Sequence, residues 1–206
     1  EGEYKGLPTP LQHVDNVKNV YGRPCVVAIN ACPTDTKAEL DLVESKCRGL
    51  GGNVRLSEVG AKGGEGGLAL AEEVVRLCDE PNHFQFVYDV NDSIEDKLNA
   101  IATKIYHADG VVIAASAKKQ LKQLTALGFD KLPICMAKTQ FSFSDDASKL
   151  GAPRGFKITV RDLKVNAGAG FLVAKTGDIM TMPGLPKVPS AEQIDVDENG
   201  KITGLF

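Results

Sequence analysis

Residues 26–36 constrain the fold more than any other stretch of this sequence. They read VVAINACPTDT, a short β-branched and apolar run that ends abruptly in an Asn, a Pro and an Asp-Thr pair. Such a run predicts a buried strand of a parallel sheet. The polar residues then form the loop at the strand's carboxyl end, which is where open α/β sheets bind their ligands.

Strands and helices alternate from about Leu11 to Met136. A capping box of Thr36 and Glu39 begins the first of these helices, which ends at 49–52, and Ser93 with Asp96 caps a later one. The other predicted helices cover 68–77 and 118–127, and the predicted strands cover 26–30, 54–59, 84–88, 111–113 and 132–136. This alternation predicts an α/β fold with a mostly parallel sheet and flanking helices.

After Lys138 the helical patterns stop. Residues 156–165 and 171–175 alternate like half-buried strands, and residues 194–202 predict a hairpin with Asn199-Gly200 in its turn. The proline-rich stretch 181–189 fits no regular element. We therefore divide the chain into an α/β region, residues 1–138, and a smaller β-rich carboxyl-terminal segment, residues 139–206.

Composition and charge exclude several classes of protein. A net charge of −3 over 206 residues argues against a nucleic-acid binder. No apolar run approaches membrane-spanning length and no signal peptide opens the sequence, so we expect a cytoplasmic protein without a membrane partner. Five scattered cysteines without a C-x-x-C pair, and three histidines without ligand spacing, predict free thiols and no metal site.

Asn30 and Asp35 are the candidate ligand-reading residues of the first loop. An amide and a carboxylate in this arrangement are typical of the base-reading loops of nucleotide-binding proteins. Asp35 and Thr36 equally suit a cap for the next helix, and both interpretations can hold together. The sequence has no glycine-rich loop ending in Lys-Ser/Thr that would hold phosphates. Half of a nucleotide site is therefore missing.

Three further segments each have a functional and a structural interpretation. Residues 56–67 include a glycine-rich turn before a helix, which either presents N–H groups to an anion or merely connects two elements. Residues 138–146 combine a Lys with hydroxyls and carboxylates, and the pattern favours exposed turn residues over a ligand loop. Residues 182–186 form either a rigid lid or a tie across the surface. No Ser-His-Asp or Cys-His set is placed for nucleophilic catalysis.

Taken together, these segments resemble formate–tetrahydrofolate ligase. The resemblance extends from about Leu11 to the ending Gly204-Leu205-Phe206. The matching stretches are VAIN (27–30), PTDT (33–36), LSEV (56–59), AKGGEGG (61–67), MAKTQ (136–140), SDD (144–146), ITVR (158–161) and TMPGLPK (181–187). The resemblance implies a P-loop NTPase-like family, with the phosphate loop absent from this chain, which corresponds to the carboxyl-terminal part of the enzyme.

The resemblance implies ATP-dependent formation of 10-formyltetrahydrofolate from formate and tetrahydrofolate, through formyl phosphate. It also implies Mg²⁺ with ATP, a monovalent cation (K⁺ or NH₄⁺) and a homo-oligomer, since the family is tetrameric. The phosphate loop is expected in an amino-terminal region of the same enzyme, upstream of Glu1. We therefore expect the isolated chain to be inactive, and no residue in it is assigned a catalytic role.

The resemblance also implies roles for particular residues. Residues that line the adenine pocket or its surroundings are Asn30, Pro33, Asp35, Leu56, Ser57 and Lys62. Cys32 and Gly60 stand where the family commonly has Phe and Trp, whose rings sandwich the pterin of the folate. Losing both rings removes stacking worth about 0.5–1.5 kcal/mol per aromatic pair, so folate binding is expected to weaken or to use other contacts. The alternative function is a non-catalytic nucleotide- or folate-binding or subunit-assembly module.

Overall fold

The strand predicted at 26–30 pairs in parallel with the next strand of the chain. The computed structural model describes residues 6–49, 53–81, 83–177, 179, 187–200 and 202–204. Within it, β1 (Val26–Asn30) and β2 (Asn53–Ser57) run side by side from the Val26–Asn53 pair to the Asn30–Ser57 pair. The loops that leave these two strands therefore start next to each other.

The helices predicted after Thr36, at 68–77, after Ser93 and at 118–127 are all present, together with two that were not predicted, at Pro8–Asp15 and Val59–Lys62. The helices are α1 (Pro8–Asp15), which continues into a π-helical turn (Asn16–Val20), then α2 (Lys37–Gly49), α3 (Val59–Lys62), α4 (Leu68–Cys78), α5 (Ile94–Lys104) and α6 (Ala115–Ala126). Short 3₁₀ helices cover Gly63–Gly67 and Ser190–Glu192. The later strands are β3 (Val111–Ile113), β4 (Ile134–Ala137), β5 (Ile158–Asn166), β6 (Phe171–Thr176), β7 (Asp195–Val196) and β8 (Ile202–Thr203).

Helices pack on both faces of the β1–β2 pair. On one face, Val54 lies in a small buried cluster with Cys47 of α2 and with Leu7 beside α1. On the other face, Arg55 forms an ion pair with Glu73 of α4 at 2.7 Å. Because side chains alternate along a strand, Asn30 and Ser57 belong to the α4 face. We refer to this part of the molecule, residues 26–78, as the two-stranded region.

The second sheet has the strand order β3–β5–β6–β4. β3 pairs in parallel with β5, β4 pairs in parallel with β6, and β5 and β6 form an antiparallel hairpin. The hairpin thus lies between two strands that precede it in the chain. We call this part, residues 93–177, the four-stranded region.

One face of the second sheet carries the main core. The helix α5 contributes Ile94 and Leu98, and α6 contributes Leu124, to a buried cluster that includes strand residues such as Val160 and Leu172. A second cluster, continuous along α5, contains Ala102 with Phe156 and Ile158 of the β5 side. Apolar burial of this extent supplies most of the favourable free energy of folding.

The α/β class with parallel strands is confirmed, but the described strands form separate sheets and not one mostly parallel sheet. The β5–β6 hairpin supplies the pairing partners of β3 and β4, and neither of these two strands pairs with β1 or β2. The division of the chain at residue 138 stays a prediction. That position falls between β4 and β5, which are strands of the same sheet.

The prediction of a strand at 84–88 is wrong. These residues belong to no strand, and residues 87 and 88 lie in a bend. The N–H groups of His83 and Gln85 donate instead to the carbonyls of Gly22 and Tyr21, at 2.9 and 3.2 Å. The apolar pattern that predicted a buried strand arises from Val87, which is buried, while Phe86 is 80% exposed. The terminal hairpin is confirmed by the β7–β8 pair. Residues 181–186 of the proline-rich stretch lie outside the described residues.

The amino-terminal helix connects to the four-stranded region through polar contacts. The side-chain amides of Asn16 and Gln12 donate to the carbonyl of Ile105, at 2.8 and 3.3 Å. His107 lies two residues further on, with its Nε2 3.2 Å from the Asn16 Oδ1 and a left-handed φ of 55°. Burial lowers the pKa of His107 below its usual range, and the nearby Arg154 lowers it further, while Asp15 acts in the opposite direction.

Candidate functional site

The carboxyl ends of β1 and β2 bring two of the predicted site residues together. Asn30 and Ser57 are the last register pair of the two strands, and the Ala31 N–H donates to the Ser57 carbonyl at 2.9 Å, which extends the ladder by one bond. Asn30 is exposed and Ser57 is buried. An amide beside a hydroxyl offers donors and acceptors for the polar edge of a base.

The loop that leaves β1 is shaped by its own side chains. The Asp35 carboxylate accepts the Cys32 N–H at 2.7 Å, and the Asp35 N–H donates back to the Cys32 carbonyl at 3.0 Å. The predicted capping box is confirmed, since the Glu39 carboxylate accepts the Thr36 N–H at 2.8 Å and the Glu39 N–H donates to Thr36 Oγ1 at 3.3 Å. The Thr36 N–H lowers the pKa of Glu39. Asp35 therefore shapes this loop whatever else it binds.

The loop that leaves β2 folds back on itself through Glu58. The Glu58 N–H donates to the Gly66 carbonyl at 3.0 Å, and the Glu58 carbonyl accepts the N–H groups of Ala61 and Lys62. The Lys62 ammonium also binds the Glu58 carboxylate at 2.8 Å. The expected glycine-rich turn is thus a turn of α-helix followed by a 3₁₀ helix, which is more ordered than a flexible connection.

The glycines of this second loop are not equivalent. A Cβ at Gly66 would lie 2.5 Å from the carbonyl carbon of Glu58, so the fold-back needs a glycine there. A Cβ at Gly60 would meet nothing within 4 Å. Gly60 is exposed, as is Cys32 in the first loop. The two positions at which the resemblance implies aromatic rings are therefore both exposed.

The structure separates the remaining predicted residues by face and by exposure. Leu56 pairs with Ile29 in the register and so lies on the α2 face, opposite to Asn30 and Ser57. Pro33, like Cys32 and Asp35, is in the exposed loop after β1. The predicted nucleotide-site residues thus lie at or just beyond the carboxyl ends of β1 and β2, although not all on one face. Ser57 is buried, and the others are exposed.

The loop after β4 has a clear structural role. The Lys138 ammonium donates to the carbonyls of Thr139 at 2.8 Å and Ser144 at 2.7 Å, and also to the carbonyl of Ser142. Burial lowers the pKa of Lys138, and the nearby Asp145 partly offsets this. All three N–H donors of the ammonium are thus occupied by the loop that follows it. The interpretation of this segment as a set of turn residues gains support from these bonds.

Two clefts in the molecule contain none of the predicted nucleotide- or folate-site residues. One, of about 960 Å³, has aromatic side chains from Tyr21, Phe86 and Tyr106 in its lining. The other, of about 610 Å³, lies beside the loop after β4 and includes Lys149, Lys157 and Arg161. Sequence reasoning missed the first cleft because it joins segments that are far apart in the chain. It considered residues 138–146, which line part of the second cleft, but favoured exposed turn residues and did not connect them to 156–161.

The donor groups of the described side chains decide whether a metal ion could bind. Across the part of the chain that the structure describes, no group of three His, Cys, Asp or Glu side chains could hold a metal ion. Asp35, the carboxylate of the first loop, already accepts a backbone N–H. These donors do not fit a metal centre, so no step is assigned here through Mg²⁺ or a monovalent cation. No described helix combines the length and apolar character needed to cross a membrane.

A comparison with known protein families gives the context for this edge of the sheet. The sequence model of the family described as formate–tetrahydrofolate ligase matches residues 4–206, nearly the whole chain. The family is one of ligases that act on formate and tetrahydrofolate in one-carbon metabolism. With a match of this extent, the chain belongs to the formate–tetrahydrofolate ligase family.

Proposed function

We propose that this chain forms the base-side wall of the ATP site of a formate–tetrahydrofolate ligase. The observation that carries the proposal is the register pair Asn30–Ser57 at the carboxyl ends of two neighbouring parallel strands. The loops after both strands match stretches that characterise the family. In this proposal Asn30 and Ser57 contact the polar edge of adenine and Pro33 supplies apolar contact, while the side chain of Leu56 lies on the opposite face of the strand pair and takes no part.

The phosphate side of the site is proposed to come from a segment that this sequence lacks. No glycine-rich loop ending in Lys-Ser/Thr occurs in these 206 residues. Formate is a poor electrophile, and phosphorylation to formyl phosphate gives it a leaving group for attack by the folate amine. Positioning of nucleotide and folate is the contribution that we assign to this chain. Alone, it is proposed to bind a base and not to ligate.

The proposal is tested by comparing adenosine with ATP. Both are titrated into the ¹⁵N-labelled chain and followed by amide chemical shifts. We expect saturable binding with shifts at Asn30 and Ser57, and affinities for the two ligands that differ by less than about tenfold, or about 1.4 kcal/mol. The reason is that a site without phosphate contacts gains little from the triphosphate.

Two variants of the same residue type provide the control. Asn30→Ala should weaken adenosine binding about tenfold, as expected for loss of one or two hydrogen bonds. Asn53→Ala, on the same face but at the amino end of β2, should leave it unchanged. Absence of adenosine binding would refute the base-side wall. ATP binding far tighter than adenosine would place a phosphate site within this chain and refute the division of the site.

We also propose that Cys32 and Gly60 mark the folate side of the same edge. Both are exposed, one in each loop, and the space around Gly60 admits a larger side chain. The double variant Cys32→Phe with Gly60→Trp should tighten binding of tetrahydrofolate about tenfold or more, because two rings restore stacking. Calorimetry on the chain measures the affinity.

A matched pair of substitutions separates specific stacking on the pterin from non-specific binding of tetrahydrofolate to exposed aromatic rings. Cys78→Phe with Gly49→Trp adds the same two rings at exposed positions away from the two loops, and a Cβ at Gly49 meets nothing within 4 Å. This variant should bind tetrahydrofolate as the unmodified chain does. Equal tightening in both variants, or in neither, would show that the pterin does not lie between residues 32 and 60.

The second candidate function is a non-catalytic binding or subunit-assembly module. The absence of aromatic residues at positions 32 and 60 favours it. Mixing the chain with the amino-terminal region of a family member, and assaying 10-formyltetrahydrofolate formation, separates the two functions. Activity supports the ligase, whereas nucleotide binding without activity supports the module. Light scattering on the same samples tests the homo-oligomer that family membership leads us to propose.

A further inference from the structure

A cleft with an excess of positive charge lies at the edge of the second sheet where β4 and β6 end and β5 begins. Its volume is about 610 Å³, within the range of small-molecule sites. Five charged side chains take part in its lining: Lys149, Lys157, Arg161, Asp145 and Asp146. We call it the cationic cleft. The carboxyl ends of parallel strands are the edge at which α/β sheets bind ligands, and β4 and β6 are such a pair.

The strand β5 and the residue before it place two of the cations in a row. Phe156, Ile158 and Val160 are buried in the core. Because side chains alternate in extended chain, the intervening Lys157, Thr159 and Arg161 point to the opposite side, and all three line the cleft. The arrangement puts a hydroxyl between an ammonium and a guanidinium.

The two carboxylates of the cleft are already engaged in the loop that precedes β5. Asp145 accepts the Thr159 N–H at 2.8 Å and lies near the buried Lys138 ammonium. Asp146 accepts the N–H and the hydroxyl of Ser148, at 3.0 and 2.6 Å, and these bonds lower its pKa. Their charge is thus partly satisfied by fixed donors. Arg161 also has an interaction of its own. The exposed ammonium groups of Lys149 and Lys157 are therefore the cations on which anion binding in this cleft depends.

The floor of the cleft is rigidly held. Lys138 ties together the carbonyls of the loop that carries the two aspartates. On the β6 side, Gly177 has a left-handed φ of 61°, and a Cβ there would lie 2.8 Å from the Asp145 carbonyl oxygen. Lys149 lies over the Phe156 ring, 5.8 Å from its centre. A site held in this way binds with little loss of conformational entropy.

We infer that the cationic cleft binds a small anion that carries a phosphate or a carboxylate group. The ammonium groups of Lys149 and Lys157 can donate charge-assisted hydrogen bonds to either of these, and the Thr159 hydroxyl adds a neutral donor. This inference is independent of the proposed base-side site, which lies on the other sheet. It also gives a ligand to the segment 138–146, which the proposed function leaves without one.

The test uses the ¹⁵N-labelled full chain and two probes, inorganic phosphate and glutarate. Each is titrated at an ionic strength held constant with chloride, so that general screening does not change. We expect saturable shifts of the Thr139, Thr159 and Arg161 amides with at least one probe. Saturation by phosphate alone identifies a phosphate ligand, and saturation by glutarate alone identifies a carboxylate ligand. Saturation by neither overturns the inference.

Charge-matched variants locate the binding. Lys149→Met with Lys157→Met should weaken the affinity for the saturating probe at least tenfold, because two charge-assisted contacts are lost. Lys118→Met with Lys119→Met removes the same charge from the exposed part of α6 and should leave the affinity unchanged. Equal weakening in both double variants would show a general effect of net charge and would overturn the inference. Where a variant fails to fold, the titration of the unmodified chain still tests the inference: saturable shifts support it, and the absence of saturation by both probes overturns it.

Discussion

The two-stranded and four-stranded regions hold their loops in different ways. In the two-stranded region the loops after β1 and β2 are held by bonds between near neighbours in the chain, such as Cys32 with Asp35 and Glu58 with Gly66. In the four-stranded region the local bonds of Lys138 are joined by others that span longer stretches. Lys97 reaches the carbonyls of Asp130 and Leu132, and Asp145 reaches Thr159.

This difference explains why candidate site residues could be named from the sequence in one region and the clefts of the other region could not. A loop shaped by residues three to eight positions apart carries its geometry in its own sequence. A cleft between distant segments does not. The predicted nucleotide-site residues lie in loops of the first kind or at the strand ends from which these loops leave, whereas both clefts lie between segments of the second kind. The predictions below probe this contrast, from the largest expected effect to the smallest.

Lys97→Met should produce the largest loss of stability. Lys97 is fully buried, and its ammonium donates to two carbonyls at 2.6 and 3.1 Å. Methionine keeps the volume but leaves those carbonyls without a donor, which costs about 2–4 kcal/mol in the free energy of unfolding. Urea denaturation measures this, with Lys118→Met on the exposed side of α6 as the control.

The contrast between regions predicts where this damage appears. Hydrogen exchange should accelerate in β3–β6 while the amides of α2 and α4 change less, since the bonds of Lys97 lie in the four-stranded region. A loss below about 1 kcal/mol would contradict the role of Lys97 as a buried tie between segments. Uniform acceleration in both regions would show that they unfold as one unit.

Two glycines of the loop after β2 should respond in opposite directions. Gly66→Ala forces a Cβ against the Glu58 carbonyl carbon and should cost about 1–3 kcal/mol. Gly60→Ala, in open space within α3, should be neutral or stabilise by up to about 1 kcal/mol. Thermal denaturation of both variants provides the comparison. Equal effects would contradict the fold-back through Glu58.

His107 should give the smallest effect, a slope of stability against pH. Its pKa is lower in the folded chain than the usual value of about 6.5, so the unfolded chain binds a proton more readily. The stability contribution is therefore present above that usual value and is lost as the pH falls through the folded pKa.

Unfolding in urea at several values between pH 7 and pH 5.5 measures the slope. His107→Asn should reduce it, because asparagine tolerates the left-handed φ and does not titrate. His83→Asn, at an exposed position, is the matched control and should leave the slope in place. A slope that persists in His107→Asn would assign it to another group.

Local chemistry accounts for what the sequence predicted well. The boxes of Thr36 with Glu39 and of Ser93 with Asp96 form as expected, because each needs only residues three apart. The β1 strand and the terminal hairpin follow from short patterns in the same way. The roles of Asn30, Ser57 and the other site residues remain predictions that rest on family membership and on their shared edge of the sheet.

Long-range pairing accounts for what was missed. The pattern at 84–88 was typical of a buried strand, but a strand also needs a partner, and the sequence does not say which edge is free. The buried Lys97 falls in the same class, since its acceptors are more than thirty residues away. The alternation predicted for residues 156–165 already placed Lys157 and Arg161 on the same side. That both side chains line a cleft depends on the loop at 139–149, which the alternation does not predict.

The insertion of the β5–β6 hairpin between β3 and β4 has a consequence for synthesis on the ribosome. When the chain has emerged only as far as β4, both outer strands of the sheet exist and neither central strand does. Each then exposes an apolar edge that has no partner in the nascent chain, a known route to aggregation. The sheet can close only after residue 176 has emerged. High contact order therefore delays the folding of this region.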